Sequence, residues 1–229
     1  MNIKHKKPTL TKKQRHRLRV QQVRRQKIFL TCLFLLIVGC ILLRFSKFSG
    51  RQEEAHQINA ACEAYRDEVS SEAAQYDMSD YVDLILAVMM QESSGQGTDP
   101  MQSSEGAYNT RYPQQPNGIT DPSYSISCGI QELKYALDKA GCTGPTDLSK
   151  IRLALQAYNF GADYYFAYLE ENGQTVWTAQ SAQAFAQMAS GNTQRDEDDP
   201  LHDPAGPWDY GDQYYPDHVL RYYHLDNNS

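Results

Sequence analysis

The sequence predicts a mainly α-helical domain carried behind a single N-terminal transmembrane helix. Three observations lead to that class. Apolar residues recur at helical spacing in one segment after another, and glycines close most of those segments. Alternating strand patterns are almost absent from residues 59–229. Residues 28–43, IFLTCLFLLIVGCILL, run for sixteen positions without a charge.

The N-terminal elements follow from charge. Residues 1–27 hold six lysines, five arginines and no acid, and form a basic cytoplasmic tail. A spanning helix needs about 20 residues, with a lower limit of about 17, so an anchor over 28–45 relies on Lys27 and Arg44 snorkelling to the interfaces. A cleaved signal peptide would have a shorter basic region and a small-x-small site after Leu43, which is missing. The basic excess keeps the tail inside and puts everything after residue 45 outside the cell membrane, in a single pass. The tail has no aromatic residue before Phe29 to stack on bases, which argues against nucleic acid as a partner. Fourteen of the 22 basic residues precede Gln52; the other eight face all 28 acids, so the outer segment carries −20 although the whole chain carries −6.

Residues 46–58 read as a stalk, and 59–229 as the folded domain. A polar helical pattern covers 57–77. The next helix is expected to start near MSDY, with Ser79 or Asp80 as its cap, and to bury Val82, Ile85, Leu86 and Met89. Residues 93–121 form a loop rich in Gly, Pro, Ser, Asn and Gln, long enough to suggest binding or catalysis. Asp121 and Pro122 restart a helix with Ile126, Ile130, Leu133 and Leu137 on one face and Gly141 at its end. Thr146 or Asp147 caps another, which buries Ile151, Ala154, Leu155 and Tyr158 and stops at Gly161. Two more helices lie in DYYFAYLEENG and AQSAQAFAQMASG, and HVLRYY suggests a closing turn. The acidic run 196–199 lacks the spaced oxygen ligands of an EF-hand loop and reads as a solvated loop. No metal or cofactor is expected. Cys62, Cys128 and Cys142 have no metal-ligand spacing; a Cys128–Cys142 disulfide is one pairing open to them, while Cys128 inside a helix also reads as a small buried side chain.

Glu92 is the residue that invites a chemical reading. It sits in the last turn of an apolar helix, where the partial negative charge of the carbonyl end opposes a carboxylate. Seven residues at 100° each bring it within about 20° of the azimuth of Ile85, on or beside the buried face. Burial and the helix end both raise its pKa. A carboxyl group protonated near neutral pH is what glycoside cleavage requires of its proton donor. The plain alternative is a frayed turn with Glu92 in water.

Five stretches in order, VMMQESSG, DPMQSSEG, ITDPSYSI, ALQAYNFG and YGDQYYPDHVLRYY, resemble the lysozyme-like superfamily of lytic transglycosylases and goose-type lysozymes. The resemblance extends over about residues 60–225. It is closer still to the glycan-cleaving half of the CwlT-like wall hydrolases found in conjugative elements of Gram-positive bacteria. It implies a lysozyme-like fold and cleavage of the β-1,4 bond after N-acetylmuramic acid in peptidoglycan. By motif, it implies Glu92 as proton donor and Ser93 or Ser94 holding the substrate or the acid. Met101 and Gln102 would line the groove, Tyr158 would pack against Glu92 or the sugar, and Asn159 would hydrogen-bond substrate.

A second carboxylate would assist hydrolysis, whereas a lytic transglycosylase needs none because the muramic 6-hydroxyl closes internally. Glu105, three residues after Gln102, and Asp121 are the candidates; Asp121 is explained more simply as a helix cap. The CwlT-like relatives point to the hydrolytic outcome. They carry a cysteine-peptidase domain downstream that this sequence lacks, so glycan strands rather than stem peptides are the expected target. A conjugative type IV secretion apparatus is the partner implied by the resemblance. Two rival classes are a non-catalytic glycan-binding scaffold, which would not require Glu92, and a membrane adaptor acting through residues 1–27.

Overall fold

The computed structural model describes residues 57–199 and 202–225, which belong to the compact unit Ala55–Ser229. The expected basic tail, the expected anchor over 28–45 and most of the expected stalk lie outside these residues. Among the described residues no helix is long and apolar enough to cross a membrane.

Eight helices appear among them, joined by loops and by one isolated bridge, Gln194 to Trp208. They are α1 (Ala60–Glu63), α2 (Arg66–Gln75), α3 (Val82–Glu92), α4 (Pro122–Ala140), α5 (Leu148–Phe160), α6 (Ala162–Glu171), α7 (Ala179–Ala189) and α8 (Tyr215–Leu220). Helix α3 packs against α1, α2 and α8, while α5 packs against α4, α6 and α8. Helix α8 thus touches both α3 and α5, which fixes the geometry of the site.

The predicted punctuation is largely present. The Asp121 side chain accepts from the Ser123 and Tyr124 N–H groups at the start of α4, and Gly141 ends that helix at φ 71°. Asp147 rather than Thr146 caps α5, accepting from the Lys150 N–H. Thr178 and Ser181 form a reciprocal capping box on α7.

Three expectations require correction. The polar helix over 57–77 breaks at residues 64–65 into α1 and α2. Neither Ser79 nor Asp80 caps α3; they lie in a 3-10 turn, Ser79–Tyr81, and Tyr81 makes no side-chain cap. Helix α3 also has no single apolar stripe. Leu84 through Met89 are all fully buried while Val82 is only partly so, because neighbours cover the helix on several sides. Among the described residues Cys62, Cys128 and Cys142 are all free thiols. Cys128 is buried in α4 with its thiol near the Tyr108 carbonyl, 3.5 Å, whereas the Cys142 thiol donates to the Gly144 carbonyl, 3.3 Å.

Gly129 shows how tightly the long loop sits on this core. A Cβ there would lie 2.6 Å from Met101 Cβ, too near the backbone to rotate away. Alanine would improve helix propensity by about 1 kcal/mol, but the overlap outweighs it. Gly129→Ala should destabilise the domain by about 1–3 kcal/mol, read as a lower urea midpoint; a higher midpoint would show that the loop yields.

Candidate active site

Glu92 ends α3, and the chain reverses at once. Ser94 and Gly95 take left-handed φ values of 56° and 72°. Any side chain at 95 would strike the α1 backbone, with Cβ 2.8 Å from the Cys62 nitrogen. Asn59 Nδ2 donates to the Ser94 carbonyl at 3.0 Å, and Ser93 Oγ donates to the Pro100 carbonyl at 2.7 Å. These bonds tie the helix end to α1 and to the following loop, so Glu92 is not on a frayed turn.

Asp99, which sequence reasoning passed over, organises that loop. Its buried carboxylate accepts from the Ser103 N–H (3.0 Å) and Ser125 Oγ (2.6 Å) through one oxygen. Through the other it accepts from the Ser104 N–H (3.2 Å) and the Ser104 hydroxyl. The loop then presents the Met101 carbonyl, which accepts from the Tyr158 hydroxyl at 2.9 Å. Met101 therefore contributes its backbone; its side chain is fully buried against Gly129 and forms core, not groove. Gln102 is exposed at φ 48°, and its Nε2 donates to the Asp99 carbonyl and to Asn117 Oδ1.

Across from α3, the Tyr215 hydroxyl donates to Glu92 Oε1. The Tyr215 ring stacks on Tyr158, with centroids 6.3 Å apart and planes inclined by 21°. Glu92 keeps a partly exposed edge, yet its carboxyl group is crowded by protein, and this desolvation pushes its pKa up to about 7. The Tyr215 hydrogen bond opposes the shift, and the charges of Asp212 and Asp99 add to it. Burial, then the Glu92 charge, holds the Tyr158 and Tyr215 hydroxyls well above the usual tyrosine value, so both remain donors.

Glu92 opens on a cavity of about 430 Å³, within the range of small-ligand sites. Asn159, Asp212, Tyr215 and His218 also line it. Asn159 Oδ1 accepts from the Asp212 N–H at 2.7 Å and so holds the segment leading into α8. The two acids expected as a second carboxylate do not line this cavity. Glu105 lies in an exposed turn, and Asp121 is engaged as the α4 cap on a separate hollow with Tyr76, Tyr108 and Tyr124. Asp212 lines it instead. Tyr215, Asp212 and His218 all lie in YGDQYYPDHVLRYY, and no periodicity could link them to Glu92, because Tyr215 is 123 residues away.

Phenylalanine at 215 keeps the ring but loses the donor. With its charged form no longer hydrogen-bonded, Glu92 should titrate above about 7 in Tyr215→Phe. Carboxyl ¹³C NMR would follow the midpoint; an unchanged or lower midpoint would refute this coupling.

A family profile described as lysozyme-like matches residues 60–223. The chain is 36% identical over 173 residues to the bifunctional muramidase/DL-endopeptidase CwlT of Bacillus subtilis, an alignment covering 76% of this chain and 43% of that one. It is 40% identical over 111 residues to the membrane protein YocA of the same species, covering 48% and 45%. With a pneumococcal vaccine antigen A homolog of Streptococcus pyogenes the identity is 37% over 113 residues, covering 49% and 52%. A solved Staphylococcus aureus structure, described as similar to lipoprotein of the NLP/P60 family, matches with TM-score 0.63 and 26% identity over 76% of this chain and 56% of that one. The chain spans about half the length of these curated relatives, or somewhat less.

Proposed function

The chain belongs to the lysozyme-like family, and from that premise we propose that it is a peptidoglycan glycosidase, a muramidase that uses Glu92 to cut the β-1,4 bond after N-acetylmuramic acid. The observation that carries the reading is the Glu92 carboxyl: desolvated, raised to about 7, bound by Tyr215, and open to a cavity of ligand size. A carboxyl group titrating near 7 keeps a substantial protonated fraction at neutral pH, which suits proton donation there. Glu92 gives its proton to the glycosidic oxygen as the bond from that oxygen to C1 breaks. Water then adds to C1, and its proton returns to the Glu92 carboxylate. Asn159 lines the cavity and takes the role of a substrate hydrogen-bonding group, while Tyr158 stacks on Tyr215.

One other outcome uses the same acid. If the muramic 6-hydroxyl reaches C1 before water, the enzyme is a lytic transglycosylase and leaves a 1,6-anhydro end; Glu92 serves both routes. The muramidase part of CwlT's name favours hydrolysis. A non-catalytic scaffold is disfavoured because glycan binding gives no reason to desolvate an acid on the cavity wall.

The setting is part of the proposal. The basic tail, the uncharged run at 28–43 and the likeness to a protein named as a membrane protein support a single-pass anchor with the domain outside the cell. There it would open the wall locally, beside a conjugative secretion channel. Digestion of purified walls by the full chain should release muropeptides with intact stem peptides. New peptide amino termini without glycan scission would overturn the glycosidase reading.

A further inference from the structure

We propose that Asp212, oriented by His218, is the second carboxylate of this site and stabilises the positive charge that develops on C1 as the glycosidic bond opens. This assignment rests on the glycosidase reading and adds to it the group that faces the reacting sugar alongside Glu92.

The placement is the first argument. Asp212 and Glu92 line the same cavity, and one residue joins them: Tyr215 donates its hydroxyl to Glu92 and its backbone N–H to the Asp212 carbonyl, 3.2 Å. Three further bonds fix the Asp212 backbone and carboxylate. Asn159 Oδ1 takes its N–H, Gln156 Nε2 donates to its carbonyl at 2.8 Å, and the Tyr214 N–H donates to its Oδ1 at 2.8 Å. His218 Nδ1 lies 2.5 Å from Oδ2, and since a carboxylate only accepts, that nitrogen carries the proton. The pair is nevertheless open, with side chains 29% exposed for Asp212 and 33% for His218. An aspartate needed only to anchor α8 would have no reason to stay on the cavity wall.

The bonding also selects the role. Both oxygens of Asp212 already hold a donor, which lowers their nucleophilicity while leaving the negative charge in place. Asp212 therefore acts through its field and forms no bond to C1. Fixed charge aimed at a developing cation lowers the barrier without reorganisation during the reaction. The bond that breaks is C1 to the glycosidic oxygen, the proton comes from Glu92, and the bond that forms is C1 to water oxygen. The titratable and charged groups around Glu92 and His218 are these: Glu92 faces Tyr215, Asp212 and Asp99, and His218 faces Asp212, Arg221 and Asp203. His218 is the positioning residue, with its pKa raised first by the hydrogen bond to Asp212.

The test uses the purified full chain on isolated peptidoglycan, with Glu105→Gln as a control outside the cavity. Asp212→Asn should lower kcat by about 10²–10³ with little change in KM. Removing the charge that faces Glu92 should also move the basic limb of kcat/KM to lower pH. His218→Gln, whose amide can still donate to Asp212, should retain more activity than His218→Ala. Asp212→Ser, with a hydroxyl for the Tyr214 N–H, carries the test if Asp212→Asn melts below the assay temperature. Wild-type kcat and an unmoved limb in these variants would overturn the assignment while leaving the glycosidase intact. A covalent glycosyl adduct on Asp212 in quenched reactions would overturn the charge-stabilising role. Failure of the wild-type chain to cut glycan would instead remove the reading on which it rests.

Discussion

Glu92→Gln should abolish glycan cleavage and, above neutral pH, make the domain more stable than wild type. Glutamine keeps the size of the side chain and an oxygen to accept from Tyr215, but it has no proton to give. Loss of a positioned general acid costs about 10²–10⁴ in rate. The stability gain follows from linkage. Glu92 titrates near 7 in the fold and near 4.5, the ordinary value, when unfolded. Between those values the folded state holds the extra proton, so wild-type stability falls as pH rises from about 4.5 to about 7 and levels off beyond. A shift of this size corresponds to roughly 3 kcal/mol, or several degrees in Tm for a domain of this length. Thermal melts of both proteins should therefore separate by several degrees at pH 8 and converge near pH 4.5. Parallel melts across that range would mean that Glu92 ionises without penalty.

Asp99→Ala should be among the most damaging substitutions in the described residues, although Asp99 is not on the cavity wall. It strands the Ser103 and Ser104 N–H groups and two serine hydroxyls, all buried. Hydrogen bonds to a charged group contribute about 1.5–3 kcal/mol each, and losing the centre of a buried network should cost about 3–5 kcal/mol. Activity should fall with it, through a traceable path. The loop presents the Met101 carbonyl to Tyr158, Tyr158 stacks on Tyr215, and Tyr215 holds Glu92. Urea denaturation gives the stability change, and a loss below about 1 kcal/mol would show that the serines satisfy one another without the carboxylate.

Local chemistry was the readable part of this chain. Asp121 with Pro122, Asp147, Gly141 and Gly161 each impose a cap or stop within a few residues of themselves, and the structure uses all of them. Glu92 was legible because its anomaly is also local, an acid at the carbonyl end of an apolar helix. The continuous run LILAVM within α3 is buried on every side and forms no single stripe, since periodicity does not reveal how many neighbours will cover a helix. What stayed hidden was closure over distance. Tyr215 reaches Glu92 only because α8 packs on α3, and Asp212 is held at the cavity by Asn159 and Gln156 and by the close approach of Gly211, where a Cβ would lie 2.6 Å from Asn159 Oδ1. By motif Ser93 or Ser94 holds the substrate or the acid and Met101 lines the groove, yet the structure engages the Ser93 hydroxyl and the Met101 backbone in holding the loop. Short motifs mark a site without saying which of their atoms face the ligand.

The most direct test is mass spectrometry of the fragments that the full chain and its Glu92→Gln variant release from isolated peptidoglycan. Reducing muramic ends from the wild type and none from the variant are the predicted result. Anhydro ends that still depend on Glu92 would keep the acid and replace hydrolysis by internal closure. Equal release by both proteins would contradict the account, because the bond would then be cut without Glu92.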